Sequence, residues 1–183
     1  MARPNVRAPE GILMVNEVSM LAALLTLGLQ AAPPPTVDRV DLARYMGTWH
    51  EIARYPNRFQ TDCVCATATY SLRPDGKVSV LNRCMTSDGA SRSARGRAKV
   101  VDPATNARLK VSFFWPFYGD YWILDLDPDY QRVLVGTPNR KYLWILSRQP
   151  RMSPETYARL EARARELGFD PARLLRSRPC GSE

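Results

Sequence analysis

The chain has 183 residues, 45% of them apolar, and a formal net charge of +8. That length suits one domain with one core, and the composition is that of a globular chain, which excludes disorder. No stretch reaches the roughly 20 apolar residues of a membrane-spanning helix. The basic residues are scattered through every segment, with no dense run and no nucleic-acid motif. The charge therefore reads as a solvated basic surface with at most weak attraction to anionic membranes, and no nucleic-acid partner is expected.

From the N-terminus, the apolar run Met20 to Leu29 has the length of a signal-peptide core. It ends in Ala31-Ala32 and Pro33-Pro34-Pro35, so cleavage after Ala31 or Ala32 is expected. The preceding segment is unusual for a leader, because Glu10 and Glu17 intervene after Arg3 and Arg7, and Met14 and Met20 are alternative starts. Residues 1–31 are read as a signal peptide or mis-assigned extension, 32–41 as a linker and 42–183 as the folded domain. The expected product is a periplasmic or secreted protein, monomer or dimer.

Eight short alternating segments follow, at 48–55, 65–72, 77–84, 93–101, 107–115, 121–127, 131–136 and 141–147. Their turn residues are spaced as in an up-and-down barrel or sandwich. Arg73-Pro74-Asp75-Gly76-Lys77 is the clearest turn: Pro presets the first turn position and Gly accepts the left-handed one. One helix is signalled, capped by Ser153, started by Pro154 and ended by Gly168. Its stripe Tyr157, Leu160, Ala164 and Leu167 needs an apolar partner. A single helix cannot cover both faces of eight strands, so the sheet must bury itself. The expected class is all-β: an eight-stranded antiparallel up-and-down barrel with one C-terminal helix packed on its outside.

Alternation assigns the inner face. Leu109, Val111, Phe113 and Trp115 share one side of their strand, and Val78, Val80 and Asn82 pair across a hairpin with Leu72, Tyr70 and Ala68. Gly96, Ala98 and Val100 face in because Arg95, Arg97 and Lys99 face out. Trp49, Glu51, Ala53 and Tyr55 share a face opposite His50, Ile52 and Arg54. The expected pocket is lined by Tyr70, Val80, Phe113, Trp115, Tyr121, Ile123, Tyr142 and Trp144, with Ala53 on its wall and Glu51 and Asn82 polar inside it. On the sixth strand, Trp122 and Leu124 are the alternative inward pair. Large aromatics beside small residues either leave room for one ligand or pack into a solid core. Loops 56–64, 86–92 and 116–120 are expected to frame the entrance.

No cofactor and no metal site is expected. Cys63-Val64-Cys65 is too tight for a zinc ribbon, and the single His50 alternates away from the interior. Four cysteines in an exported chain fit disulfides, with three pairings open. His50, facing away, is no general base for a nucleophile inside, which leaves Glu51 as the one acid expected there.

Tyr45-Met46-Gly47-Thr48-Trp49-His50-Glu51-Ile52-Ala53-Arg54 resembles the bacterial branch of the lipocalin family related to apolipoprotein D. A lone G-x-W is weak. It gains force from Asp129-Tyr130 before the seventh strand and Tyr142 to Arg148 ending the eighth, which stand where the family's signature regions stand. The similarity spans roughly residues 37–178. The resemblance implies that Gly47, Trp49, Asp129, Tyr130 and Arg148 are structural, with the Arg148 guanidinium laid across the Trp49 indole at the barrel's base. It also implies a disulfide Cys63–Cys84, with Cys65–Cys180 tying the C-terminal tail to the barrel wall. Cys65–Cys84 with Cys63–Cys180 is the close alternative. Tyr121 and Trp144 match cavity-lining positions of the bacterial relatives.

The implied function is non-enzymatic binding, transport or storage of a fatty acid or lysophospholipid, linked to envelope maintenance. The alternatives are an isomerase-like enzyme of this fold, or an adaptor that meets a membrane or protein through Trp115, Phe117, Tyr118 and Phe59. Bacterial relatives often carry a lipid-anchored Cys at the mature start. None stands after this apolar run, so outer-membrane association stays a secondary expectation.

Overall fold

The computed structural model describes residues 32–180. The expected leader, residues 1–31, lies outside the described residues. Eight antiparallel strands follow one another: β1 (Gly47–Arg54), β2 (Cys63–Leu72), β3 (Val78–Thr86), β4 (Ser91–Val100), β5 (Arg108–Phe114), β6 (Phe117–Leu126), β7 (Arg132–Gly136) and β8 (Leu143–Ser147). Each pairs with its neighbour, and β1 pairs with both β2 and β8, so the sheet closes. The helices are α1 (Leu42–Tyr45) and α2 (Pro154–Glu166), and a short strand β9 (Leu175–Arg176) adds to β1 beyond the point where β2 leaves it.

Local sequence explains these elements. Gly76 takes φ +74° in the β2–β3 turn, and its amide donates to the Arg73 carbonyl. Ser153 caps α2 by accepting from the Thr156 amide, Pro154 occupies the first turn, and Gly168 ends it at φ +81°. The unanticipated α1 is capped by Asp41, whose carboxylate accepts from the amides of Ala43 and Arg44. Within 32–41, Val40 is fully buried and its amide donates to Thr105.

Two apolar cores result. One fills the barrel's lower interior, around Trp49, Tyr70, Val78, Val80, Ala98, Leu109, Ile123, Val135 and Leu146. The other lies between barrel wall and α2, where Tyr157, Leu160, Ala164 and Leu167 meet Ile52, Leu124, Leu134, Leu143 and Ile145. Gly136 permits that second contact: a Cβ there would stand 2.8 Å from both Leu124 and Phe169.

Ala53, Tyr55, Leu72 and Trp115 do not take the inward positions that alternation assigns them. A bulge in β1 between Glu51 and Ala53 puts Ala53 outside, under α2, and turns Arg54 toward Trp144 instead. Ala53 is therefore not on the pocket wall. Leu72, at the end of β2, is exposed. Trp122 and Leu124 pack outward against the α2 layer, while Ile123 lies inside. Trp115 sits at the β5–β6 hairpin tip, because β6 begins at Phe117 and a register shift after Val111 ends the regular ladder.

Candidate functional site: an open cup above a packed base

The inward side chains change character along each strand. In β4, Ala98 is buried, Gly96 half-buried and Ala94 exposed. In β5 the series is Leu109 buried, Val111 half-buried and Phe113 36% exposed. Asn82 is half-buried, opposite Ala68 on one neighbouring strand and Ala94 on the other. The lower barrel is thus solid, and the upper barrel is a cup floored by apolar side chains. A void of about 10 Å³ lies near the base, among Tyr45, Tyr70, Val78, Ala98, Leu109 and Tyr121. Gly96 shapes the wall, since a Cβ there would come within 2.9 Å of the Phe113 ring.

The base is held by polar contacts among large side chains. The phenolic oxygens of Tyr45 and Tyr121 are 2.7 Å apart, and those of Tyr70 and Tyr121 3.0 Å. Burial pushes all three hydroxyls well above the usual tyrosine value, so they stay protonated. Beside the base, the Tyr130 hydroxyl oxygen accepts from the Asp41 amide at 2.8 Å.

The cup's rim is partly roofed by the β1–β2 loop, whose Gln60 turns inward. Its Oε1 accepts from Trp144 Nε1 at 3.1 Å and from Asn57 Nδ2 at 3.0 Å, and its Nε2 donates to Glu51 Oε2 at 2.6 Å. The other Glu51 oxygen accepts from Arg54 Nη1 at 3.3 Å and Ser177 Oγ at 2.6 Å. Arg54 also donates to the carbonyls of Gln60 and Cys63. A buried carboxylate with a guanidinium and two further donors is satisfied, which is why Glu51 can remain inside.

Of the residues expected to line the pocket, Tyr70, Val80 and Ile123 lie in the buried base, and Tyr121 borders the void. Asn82 and Phe113 stand in the cup, and Glu51 and Trp144 lie beneath the loop. Tyr142 is at the rim, its ring centroid 5.7 Å from Phe59 and 5.8 Å from Trp144. Trp115 is 80% exposed and lines nothing inside. The sequence reading missed Gln60 and Arg54. Gln60 carries no periodic signal because it lies in a loop, and Arg54 follows a bulge that alternation does not foresee.

The cysteines are joined Cys63–Cys84 and Cys65–Cys180. The tail leading to Cys180 bridges the opening seam of the barrel: the Ser177 amide donates to Ile52, and that of Arg178 to Val64. His50 points away from the cup, and its partial burial lowers its pKa.

A family model described as a lipocalin-like domain matches residues 40–179. The outer membrane lipoprotein Blc of Escherichia coli is 43% identical over 84% of this chain and 90% of its own. Apolipoprotein D of Mus musculus is 34% identical over 75% and 76% of the two chains. Among solved structures, insecticyanin from the tobacco hornworm Manduca sexta superposes with a TM-score of 0.64 at 20% identity, covering 80% of this chain and 83% of that one.

Proposed function

The chain belongs to the lipocalin family, and from that premise we propose that it carries or stores a single-chain lipid, a fatty acid or lysophospholipid, in the upper half of its barrel. The observation that carries this reading is the rising exposure of inward residues from Ala98 to Ala94 and from Leu109 to Phe113. An acyl chain entering such a cup gains roughly 0.8 kcal/mol for each methylene buried, without demanding one particular headgroup. Asn82 adds polarity: its Oδ1 is buried and has no hydrogen-bond partner among the described residues, which leaves an acceptor for a ligand hydroxyl. Glu51 serves in this reading as an anchor for Gln60 and not as an acid–base group.

Envelope maintenance and an envelope location are supported by the relative named as an outer membrane lipoprotein. A non-enzymatic role is supported by the outward-facing His50 and by the pairing of all four cysteines, which leaves no thiolate to act on a ligand. The test is native mass spectrometry of protein purified from its own periplasm, followed by lipid extraction. One fatty acid or lysophospholipid per chain is the expected result. An empty chain that also fails to take up a fluorescent fatty acid would overturn the reading.

A further inference from the structure

The loops β1–β2, β3–β4, β5–β6 and β7–β8 all emerge at the cup's open end, and one of them is unlike the rest. The β5–β6 hairpin presents Phe114 at 80%, Trp115 at 80% and Phe117 at 77% exposure on consecutive or near-consecutive positions. Scattered exposed apolar residues are ordinary, but three large aromatics at one hairpin tip are not. Phe113 stands in the wall of the cup below them, and the three, far more exposed, add little to the barrel's packing. Phe59, 65% exposed, adds a fourth ring at the same end.

Charge is distributed to match. Arg97 pairs in register with Ser112, two residues before Phe114, and Arg95 shares its outer face one pleat closer to the open end. Lys99 is held over the Tyr118 ring at 4.7 Å on the same hairpin. A surface cleft of about 350 Å³ beside the mouth is lined by Arg58, Lys141 and Arg173 with Pro56, Asn57 and Tyr142, and no carboxylate is among them. The open-end loops carry Arg58, Arg140 and Lys141 against Asp62 and Asp88. At the opposite end, the strand-joining loops carry Asp75, Asp102, Asp127 and Asp129 against Arg73 and Lys77. Arg44 and Arg148 also stand at that opposite end, so the attraction of the open end to an anionic surface rests on the basic residues beside the aromatic tip and the mouth, Arg95, Arg97, Arg58 and Lys141.

We propose that the open end docks on an anionic phospholipid bilayer, with Phe114, Trp115 and Phe117 seated at the boundary between headgroups and acyl chains and Arg58, Arg95, Arg97 and Lys141 against the lipid phosphates. Aromatic side chains favour that boundary, and basic residues beside it are attracted by anionic lipid. Docking in this orientation holds the cup's mouth against the membrane, so a lipid passes between bilayer and barrel without crossing bulk water. A second copy of the chain fits less well, because it would bring the same basic rim against itself.

The test is flotation of the full chain with vesicles of phosphatidylcholine, with and without phosphatidylglycerol. The wild type is expected to float with the anionic vesicles, and less so as salt is added. Phe114→Ser/Trp115→Ser/Phe117→Ser is expected to abolish flotation. Arg95→Gln and Arg97→Gln are each expected to lower vesicle affinity about fivefold. Lipids brominated along the acyl chain should quench the wild-type emission and quench Trp115→Phe distinctly less, while that variant still floats. Uptake of a fluorescent fatty acid in vesicle-free solution should be unchanged in the triple variant, which separates loss of docking from loss of the fold or of the cup. Should the triple variant not fold, Trp115→Ser alone, at a highly exposed side chain, is expected to weaken flotation roughly tenfold. Wild-type protein that ignores anionic vesicles, variants that float as the wild type does, or an aromatic tip that only holds a dimer together would each overturn the proposal.

Discussion

The guanidinium carbon of Arg148 stands 3.9 Å from the centre of the Trp49 ring, at the end of the barrel opposite the cup. The same guanidinium donates to the carbonyls of Arg44, Tyr45, Met46 and Thr48, while Trp49 Nε1 donates to Tyr45. One planar cation thus closes the barrel and stitches α1 to the start of β1, a task a point charge cannot share out. Arg148→Lys is expected to lower unfolding stability by about 2 kcal/mol while leaving fatty-acid affinity within about twofold, as read by urea unfolding and ligand titration. A large fall in affinity with unchanged stability would place Arg148 in the ligand site.

Gln60 links the β1–β2 loop to the barrel wall. Gln60→Ala removes its bonds to Trp144 and Glu51, yet Glu51 keeps Arg54 and Ser177. The cost to stability is expected to be about 1–2 kcal/mol. Ligand association and dissociation should both accelerate, with the equilibrium constant little changed, because the substitution opens the way in without altering the cup. Stopped-flow mixing with a fluorescent fatty acid reads both rates. Unchanged rates would mean that lipid enters past another loop.

The tyrosines at the base give the fold an alkaline limit. Burial raises Tyr45, Tyr70 and Tyr121 well above their ordinary 10.0, so the folded state holds these protons more tightly than the unfolded chain does. Their contribution is therefore complete below about pH 10 and declines as pH rises beyond it, by at most about 1.4 kcal/mol per pH unit for each tyrosine. Melting temperature should hold level to about pH 9.5 and then fall steeply. Tyr121→Phe, which contacts both of the others, should make that fall shallower even though it weakens the fold at neutral pH.

Much of this architecture is legible in the sequence where period and turn chemistry agree. The β2–β3 turn, the capped α2 and the alternation in β3 and β4 all follow from local rules that the tertiary structure does not override. The inner face of β6 was undecided on pattern alone, because Tyr121-Trp122-Ile123-Leu124 is apolar on both sides. It is so because Ile123 enters the barrel core while Leu124 is buried under α2. Alternation misplaces Ala53 because of the β1 bulge, and Trp115 because β5 ends at a hairpin tip before it. Gln60 and the tail from Leu175 to Cys180 act through single long-range contacts. Those leave no periodic trace in the sequence.

Phe113 tests the assignment of the cup directly. Its ring packs against Gly96 of the neighbouring strand β4, and its partial exposure places it where solvent or a ligand reaches it. Phe113→Asp puts a charge against the acyl chain and is expected to reduce fatty-acid affinity at least about tenfold, with the barrel's circular dichroism retained. Affinity equal to that of the wild type would move the ligand off this wall.

The two disulfides close loops of very different length. Cys63 and Cys84 are 21 residues apart and join neighbouring strands, whereas Cys65 and Cys180 are 115 apart and fasten the tail across the seam between β1 and β2. In the chain-entropy picture the longer loop restricts the unfolded state more, by about 1.5 kcal/mol. Its loss also frees the tail that brings Ser177 to Glu51, so one donor to a buried carboxylate goes with it. The Cys65→Ser/Cys180→Ser variant is therefore expected to be less stable than Cys63→Ser/Cys84→Ser, by a margin of about 1–3 kcal/mol in urea unfolding. The opposite order would show that the tail adds little to the barrel and that the β2–β3 bridge holds the wall of the cup.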